Sequence, residues 1–270
     1  MRIFKNILDF YLESSLHVAF AVYALIRVTF FKLNIPYDEP LASFGFFGTI
    51  VGYNFIKYDE LARIKRVRFS SEFKAIIALS FVSFLASFYY FLQLCLKTQL
   101  MSVFVLLITI LYALPLFPKR DNMRNWSGLK IYIVALAWVG VTVLLPVINA
   151  GLEISLLILL KCLQRFLFVF VLMLLFEIVD LQFDAIPLKT IPQKIGLENT
   201  KKLSYVLILF FLILERYKSD TTLCQFKVVL LISFLLVILT YFINNKKNKY
   251  YSSFWVESIP IVWFSLLCFC

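Results

Sequence analysis

Three carboxylates, Glu177, Asp180 and Asp184, stand at i, i+3 and i+7 in the stretch Phe-Glu-Ile-Val-Asp-Leu-Gln-Phe-Asp that runs from 176 to 184. On a helix continuing through position 184 they fall within about 60° of one another around the axis. Three like charges repel, and in apolar surroundings each ionised carboxylate costs several kcal/mol unless a cation offsets it. Carboxylate ligation without His or Cys suits Mg2+, which typically bridges protein carboxylates to phosphate oxygens. Lys189 and Lys194 follow in a loop where Pro187 and Pro192 stop the helix, placed to take remaining phosphate charge. The same spacing also describes a solvated acidic helix end at a membrane boundary, and spacing alone does not choose between the two.

The elements that must position these groups are apolar. The chain is 62% hydrophobic and 18% aromatic with only 16% charged residues over 270 positions, which places it in a bilayer. Uncharged apolar stretches cover 41–56, 75–96, 98–118, 131–152 and 228–245, and about 20 helical residues cross roughly 30 Å of hydrocarbon. Four further segments, 15–33, 158–180, 200–217 and 251–270, carry charge or are short. The expectation is an all-α integral membrane protein of about nine transmembrane helices, residues 1–270 forming one polytopic domain. The seventh segment is the least secure, since its uncharged core runs only from Leu203 to Leu214.

Orientation is read from lysine and arginine alone, because basic short loops stay in the cytoplasm. With the N-terminus inside, that face receives Arg2, Lys5, the cluster from Lys57 to Lys74, Lys119 to Lys130, Lys189 to Lys202 and Lys246 to Lys249, 19 of the 27 basic residues. The formal net charge of +11 is therefore mostly a topology signal, with a second use in attracting anionic headgroups or a diphosphate. The basic residues are scattered over loops between spans without a recognisable nucleic-acid-binding module, so nucleic acid is not an expected partner.

No cleavable signal peptide is evident, and the first span is expected to remain as an anchor. The five cysteines show no metal-ligand spacing and are expected to be free thiols. His17 is the single histidine, which excludes histidine-cluster metal sites. The extramembrane loops are short, and a polar helix end near Asn54, after the second span, pairs with the acidic end after the sixth.

Asp-x-x-x-Asp followed by Lys-Thr-Ile-Pro-x-x-Ile-Gly resembles the second aspartate-rich motif of the UbiA family of membrane prenyltransferases. The resemblance extends to nine spans, to Tyr112-x-x-Pro115 with Lys119 and Arg120 after span four, and to the polar helix end after span two. It implies a UbiA-like bundle with a central cavity facing the cytoplasm. It also implies transfer of an isoprenyl group from an isoprenyl diphosphate to an aromatic or lipid acceptor, with Mg2+ held between two aspartate-rich motifs.

The first motif departs from the family. Where the pattern is Asn-Asp-x-x-Asp with a further Asp four residues on, this chain reads Asn54-Phe55-Ile56-Lys57-Tyr58 with Ala62 at the last position. Asp59 points about 140° away from Asn54 on a continuing helix, whereas Lys57 and Tyr58 stay on its side. One expectation is that Lys57 partly replaces a lost metal, so that Mg2+ on Glu177, Asp180 and Asp184 grips the diphosphate together with Lys57, Lys119 and Lys189, Arg120 and Lys194 being further substrate-binding candidates. The other is that Lys57 belongs to the basic cytoplasmic cluster. Asn54, Tyr58 and Tyr112 are the remaining substrate-binding candidates at this end, with Tyr53 as a further ring.

Arg27 lies mid-span, where a charge costs about 2.5–3.5 kcal/mol unless paired or wet, and is expected to face the interior, either contacting substrate or an acidic partner or snorkelling or forming a structural pair. Lys161 and Arg165 are expected at the outer interface and Glu257 at the inner one. Three readings follow: a Mg2+-dependent prenyltransferase, a non-catalytic UbiA-like protein binding a prenyl lipid or a partner membrane protein, and a small transporter using intramembrane charges.

Overall fold

A computed structural model describes residues 2–64, 71–113, 128–181, 190–217, 222–244 and 246–270, excepting the side chains of 2–4, 59–64, 71, 72 and 111–113. Every regular element among them is helical: α1 (Arg2–Glu13), α2 (Leu16–Lys32), α3 (Glu39–Ile64), α4 (Ser71–Phe91), α5 (Leu96–Ala113), α6 (Leu129–Val139), α7 (Leu145–Asn149), α8 (Leu156–Asp180), α9 (Ile191–Ile195), α10 (Leu197–Arg216), α11 (Leu223–Phe242) and α12 (Ile259–Leu267). Single π-helical turns join α6 to α7 over Gly140–Leu144 and precede α12 over Tyr251–Val256. Among the described residues, each of the nine segments read from the sequence is mostly helical, and 98–118 and 228–245 run past the described residues. Among the described residues, four helices are long and apolar enough to cross a membrane, or five when the bent pair α1 and α2 counts as one span. The doubtful seventh segment is a 20-residue helix, α10, longer than its uncharged core.

Burial sorts the helices. α2 is central: Ala19, Ala21 and Ala24 are buried with Leu25, Ile26 and Val28, and such small residues let neighbouring backbones approach. It packs against α3 and α12, while α8 packs against α6 and α10. A Cβ at Gly45 of α3 would stand 2.3 Å from Ile26 Cδ1, so a side chain there would force that terminal methyl to turn aside. By contrast only 17% of the apolar window of α4 is buried, and Phe81, Phe84, Leu85 and Phe88 project outward. In water such a face would be an aggregation site; in hydrocarbon it is the lipid-facing wall.

The break between α6 and α7 has a local cause. Pro146 has no N–H to donate to the carbonyl of Thr142, four residues back, and the Thr29 hydroxyl from α2 donates to that oxygen at 2.6 Å instead. A second break separates α1 from α2. The two helices meet at 59°, with Ser15 in the left-handed region at φ 62°. α1 has a strongly amphipathic sequence, Arg-Ile-Phe-Lys-Asn-Ile-Leu-Asp-Phe-Tyr-Leu-Glu, suited to lying in the membrane interface.

Candidate functional site

α8 carries Glu177 and Asp180 one turn apart at its inner end, the end at which the chain turns into α9. Glu177 is 1% exposed and Asp180 is half-buried. The description of α8 ends with a turn at Leu181, so Asp184 and Lys189 lie outside the described residues. The chain re-enters at Thr190, whose backbone N–H donates to the Gln193 side-chain oxygen at 3.0 Å, the reciprocal half of a Thr-x-x-Gln capping box. Pro192 fits the first turn of α9 because an N–H there has no intrahelical partner in any case. The Ile191 N–H donates to Glu177 Oε2 at 3.1 Å. This bond pins the 190–196 turn against the acidic end of α8. Lys194, in the same short helix, is exposed, its Nζ 3.8 Å from where a Gly128 Cβ would stand. The inner ends of α6, α8 and α9 thus gather around the carboxylates.

A buried carboxylate with a second one turn away, both offering hard oxygen atoms, fits a Mg2+ ion better than any softer metal. Glu177 and Asp180 would hold it. No cluster of three His, Cys, Asp or Glu able to hold a metal occurs among the described residues, Asp184 not being one of them.

The inner end of α3 is arranged differently. Ser15 donates to Asn54 Oδ1 at 2.7 Å, while Asn54 Nδ2 donates to the Ser14 carbonyl at 3.1 Å and to Ser80 Oγ of α4 at 2.9 Å. Lys57 Nζ and the Tyr58 hydroxyl both donate to the Glu13 carbonyl at 2.9 Å. All three side chains expected at a metal-diphosphate site are therefore engaged with the bend between α1 and α2. The last carbonyls of a helix have no intrahelical donors, and here α3 supplies them from outside. The same bend is held from another side: Tyr11 and the Phe254 carbonyl flank the His17 ring at 2.8 and 3.1 Å, and Tyr250 donates to Asp9. That last bond raises the Tyr250 phenol above its ordinary pKa, because the carboxylate it faces favours the protonated form. Nothing in the sequence pattern marks this clasp, although adjacent serines between an amphipathic and an apolar helix are a signal for the break.

Tyr53, next to Asn54, accepts a hydrogen bond from Trp138 Nε1 at 2.8 Å, linking α3 to α6 through the interior. Tyr112 is on α5 with its side chain outside the description, and Lys119 and Arg120 lie outside the described residues altogether.

The opposite, outer end corrects two expectations and decides between the alternatives for Arg27 in favour of a structural setting. Arg27 faces neither a carboxylate nor the inner site: its guanidinium sits 4.2 Å from the Tyr37 ring centroid and 5.1 Å from that of Phe264, and donates to Tyr23 Oη at 3.1 Å. Ring faces answer its charge. Lys161 and Arg165 are not exposed side chains of an interface but are buried inside the bundle at 8% and 5% exposure. Arg165 donates to the Leu25 carbonyl and to the hydroxyls of Thr142 and Thr29, beside the ion pair of Lys32 with Glu215 at 2.5 Å, to which Gln164 also donates. The cysteines are not all free thiols, since Cys224 and Cys270 form a disulfide between the outer ends of α11 and α12; Cys95, Cys162 and Cys268 remain free. Their separation of 46 residues gives no spacing cue, and packing of the two helices joins them.

No protein-family model matches this sequence, and no curated protein is recovered by sequence. Solved structures do match in three dimensions. The apo UbiA homolog of Aeropyrum pernix K1 superposes with a TM-score of 0.64 at 15% identity, over 96% of this chain and 97% of that one. The chain has the UbiA fold. A UbiA homolog from Archaeoglobus fulgidus bound to GPP and Mg2+ gives 0.61 at 16% identity, covering 96% and 98% of the two chains. A digeranylgeranylglyceryl phosphate synthase gives 0.58 at 12%, covering 97% of each. At such identities the likeness is one of fold, and the UbiA fold places the inner ends of α3 and α8 in the same bundle without saying what either binds.

Proposed function

We propose that this membrane protein binds an isoprenyl diphosphate with Mg2+ at the inner end of α8 and transfers the isoprenyl group to a hydrophobic acceptor. The observation that carries the reading is the buried Glu177 carboxylate, one turn from Asp180 and fastened to the turn bearing Lys194. An apolar helix has no reason to bury an acid there unless a cation and a fixed donor answer it. The UbiA homolog solved with GPP and Mg2+ shares the fold and supports the ligand class. Mg2+ on these carboxylates would supply positive charge to a departing diphosphate. Glu177 orients the 190–196 turn, Asp180 completes the carboxylate pair, and Lys194 neutralises phosphate charge at the solvent edge.

This reading sets the inner ends in the cytoplasm, as the distribution of lysine and arginine suggests. A second observation supports that orientation: the Cys224–Cys270 disulfide joins the opposite ends of α11 and α12, which then face an oxidising compartment.

A test is thermal stability in detergent. Geranyl diphosphate with Mg2+ should raise the melting temperature, and Asp180→Asn should abolish the rise; no rise in the wild type would overturn the reading. The engagement of Asn54, Lys57 and Tyr58 with the α1–α2 bend favours a second reading, a binder without turnover. Extraction of prenylated lipid from membranes given labelled diphosphates separates the two.

A further inference from the structure

We infer that this chain holds one divalent cation for its diphosphate, at the α8 end, and that the inner end of α3 is a fastening for the α1–α2 bend and not a second metal site. The inference rests on the reading proposed above and adds to it the metal stoichiometry and the role of α3.

Three independent features of α3 argue against a metal there. The first is chemical: Asn54, Lys57 and Tyr58 offer an amide, an ammonium and a phenol, none an anionic ligand at neutral pH, and the ammonium repels a dication. The second is geometric. Asn54 is 4% exposed, and its carbonyl oxygen, the one atom able to ligate, accepts from Ser15 at 2.7 Å while its amide donates twice. Turning it toward a metal would break three hydrogen bonds. The third is a matter of where the donors converge. Lys57 and Tyr58 both aim at the Glu13 carbonyl and Asn54 at the Ser14 carbonyl, so the three side chains supply what the α1 terminus lacks. A bend of 59° through a serine at φ 62° needs such outside support, because the left-handed conformation is unfavourable for a residue with a Cβ. One set of side chains cannot serve both a metal and this bend.

The consequence is an asymmetric site. Phosphate charge is met by a single ion on Glu177 and Asp180 with nearby lysines, and α1 is fixed in the interface by the helix that would otherwise carry the second ion.

Counting bound Mn2+ by electron paramagnetic resonance tests this, using purified full-length protein saturated with geranyl diphosphate. One tight ion per wild-type chain is expected, none in Asp180→Asn, and one still in Asn54→Ala and Lys57→Ala. Those last two variants should instead melt at lower temperature without ligand, and a spin label on α1 should report a more mobile helix. Tyr58→Phe keeps the ring and removes one donor, so it should show the same pattern more weakly and guards against a variant that fails to fold. Two ions per wild-type chain would overturn this inference alone. Loss of the bound ion in Asn54→Ala with an unchanged melting temperature would overturn it too. No bound ion in the wild type would overturn the proposed function itself, and this inference with it.

Discussion

The inner ends of α3 and α8 resemble each other in position and differ in what their polar side chains face. On α8, Glu177 turns one carboxylate oxygen to a backbone N–H and shares its helix end with Asp180 and the Lys194 turn. On α3, Asn54, Lys57 and Tyr58 all turn to the carbonyls of α1 and the bend that follows it. An acidic end concentrates negative charge that a cation must answer; an end made of donors answers the negative carbonyls of a neighbouring helix. The comparison teaches that a degenerate motif need not be an empty one. Where the resemblance to the first motif lacks its aspartates, α3 carries a structural bond set.

The largest expected effect is at α8. Asp180→Asn should remove all stabilisation by Mg2+ and geranyl diphosphate, read by differential scanning fluorimetry in detergent. An undiminished ligand shift would erase the contrast between the two ends. Glu177→Ala should lose the shift and also about 2 kcal/mol of stability, since the Ile191 N–H loses its acceptor in a buried setting. A stability change without loss of the shift would make Glu177 a purely structural residue.

Asn54→Ala should cost about 2 kcal/mol in denaturant or thermal unfolding, because it strips partners from Ser15, Ser80 and the Ser14 carbonyl at a buried position, and should leave the ligand shift intact. The smallest effect belongs to Tyr58→Phe, about 0.5–1 kcal/mol for one exposed hydrogen bond. The comparison also requires both ends to lie on one side of the membrane, opposite the disulfide. In a variant with Cys95, Cys162 and Cys268 replaced by Ser, maleimide added outside intact cells should reach Cys224 or Cys270 only after reduction; labelling solely in permeabilised cells would invert the orientation.

Much of the fold is legible in the residues themselves. Hydropathy marks the apolar rods, but it reads 131–152 as one stretch and passes over the break ahead of Pro146. The short uncharged core of α10 understates that helix, because its flanking Lys201, Lys202 and Glu215 are helical too. The candidate site is half legible. Glu177 and Asp180 share a helix face whatever packs around them. Asn54, Lys57 and Tyr58 are likewise neighbours on one side of a helix, but what they face is set by the bend between α1 and α2, some 40 residues earlier in the chain.

The outer end is the least legible. Arg165 and Lys161 near the start of α8 look like interface residues, yet Thr29, Thr142 and the Leu25 carbonyl from other helices give Arg165 buried acceptors. A buried charge depends on partners distant in sequence, and no local pattern names them.

By itself the sequence determined the solvent, the helical segments and the pair of acids on one helix face, because composition and the 3.6-residue period act locally. Tertiary structure alone decided which groups meet: Glu177 with Ile191, Asn54 with Ser14 and Ser15, Arg165 with Thr142, and Cys224 with Cys270. Hydrogen bonds and disulfides form over a few ångströms, and only the packed bundle brings such distant positions that close.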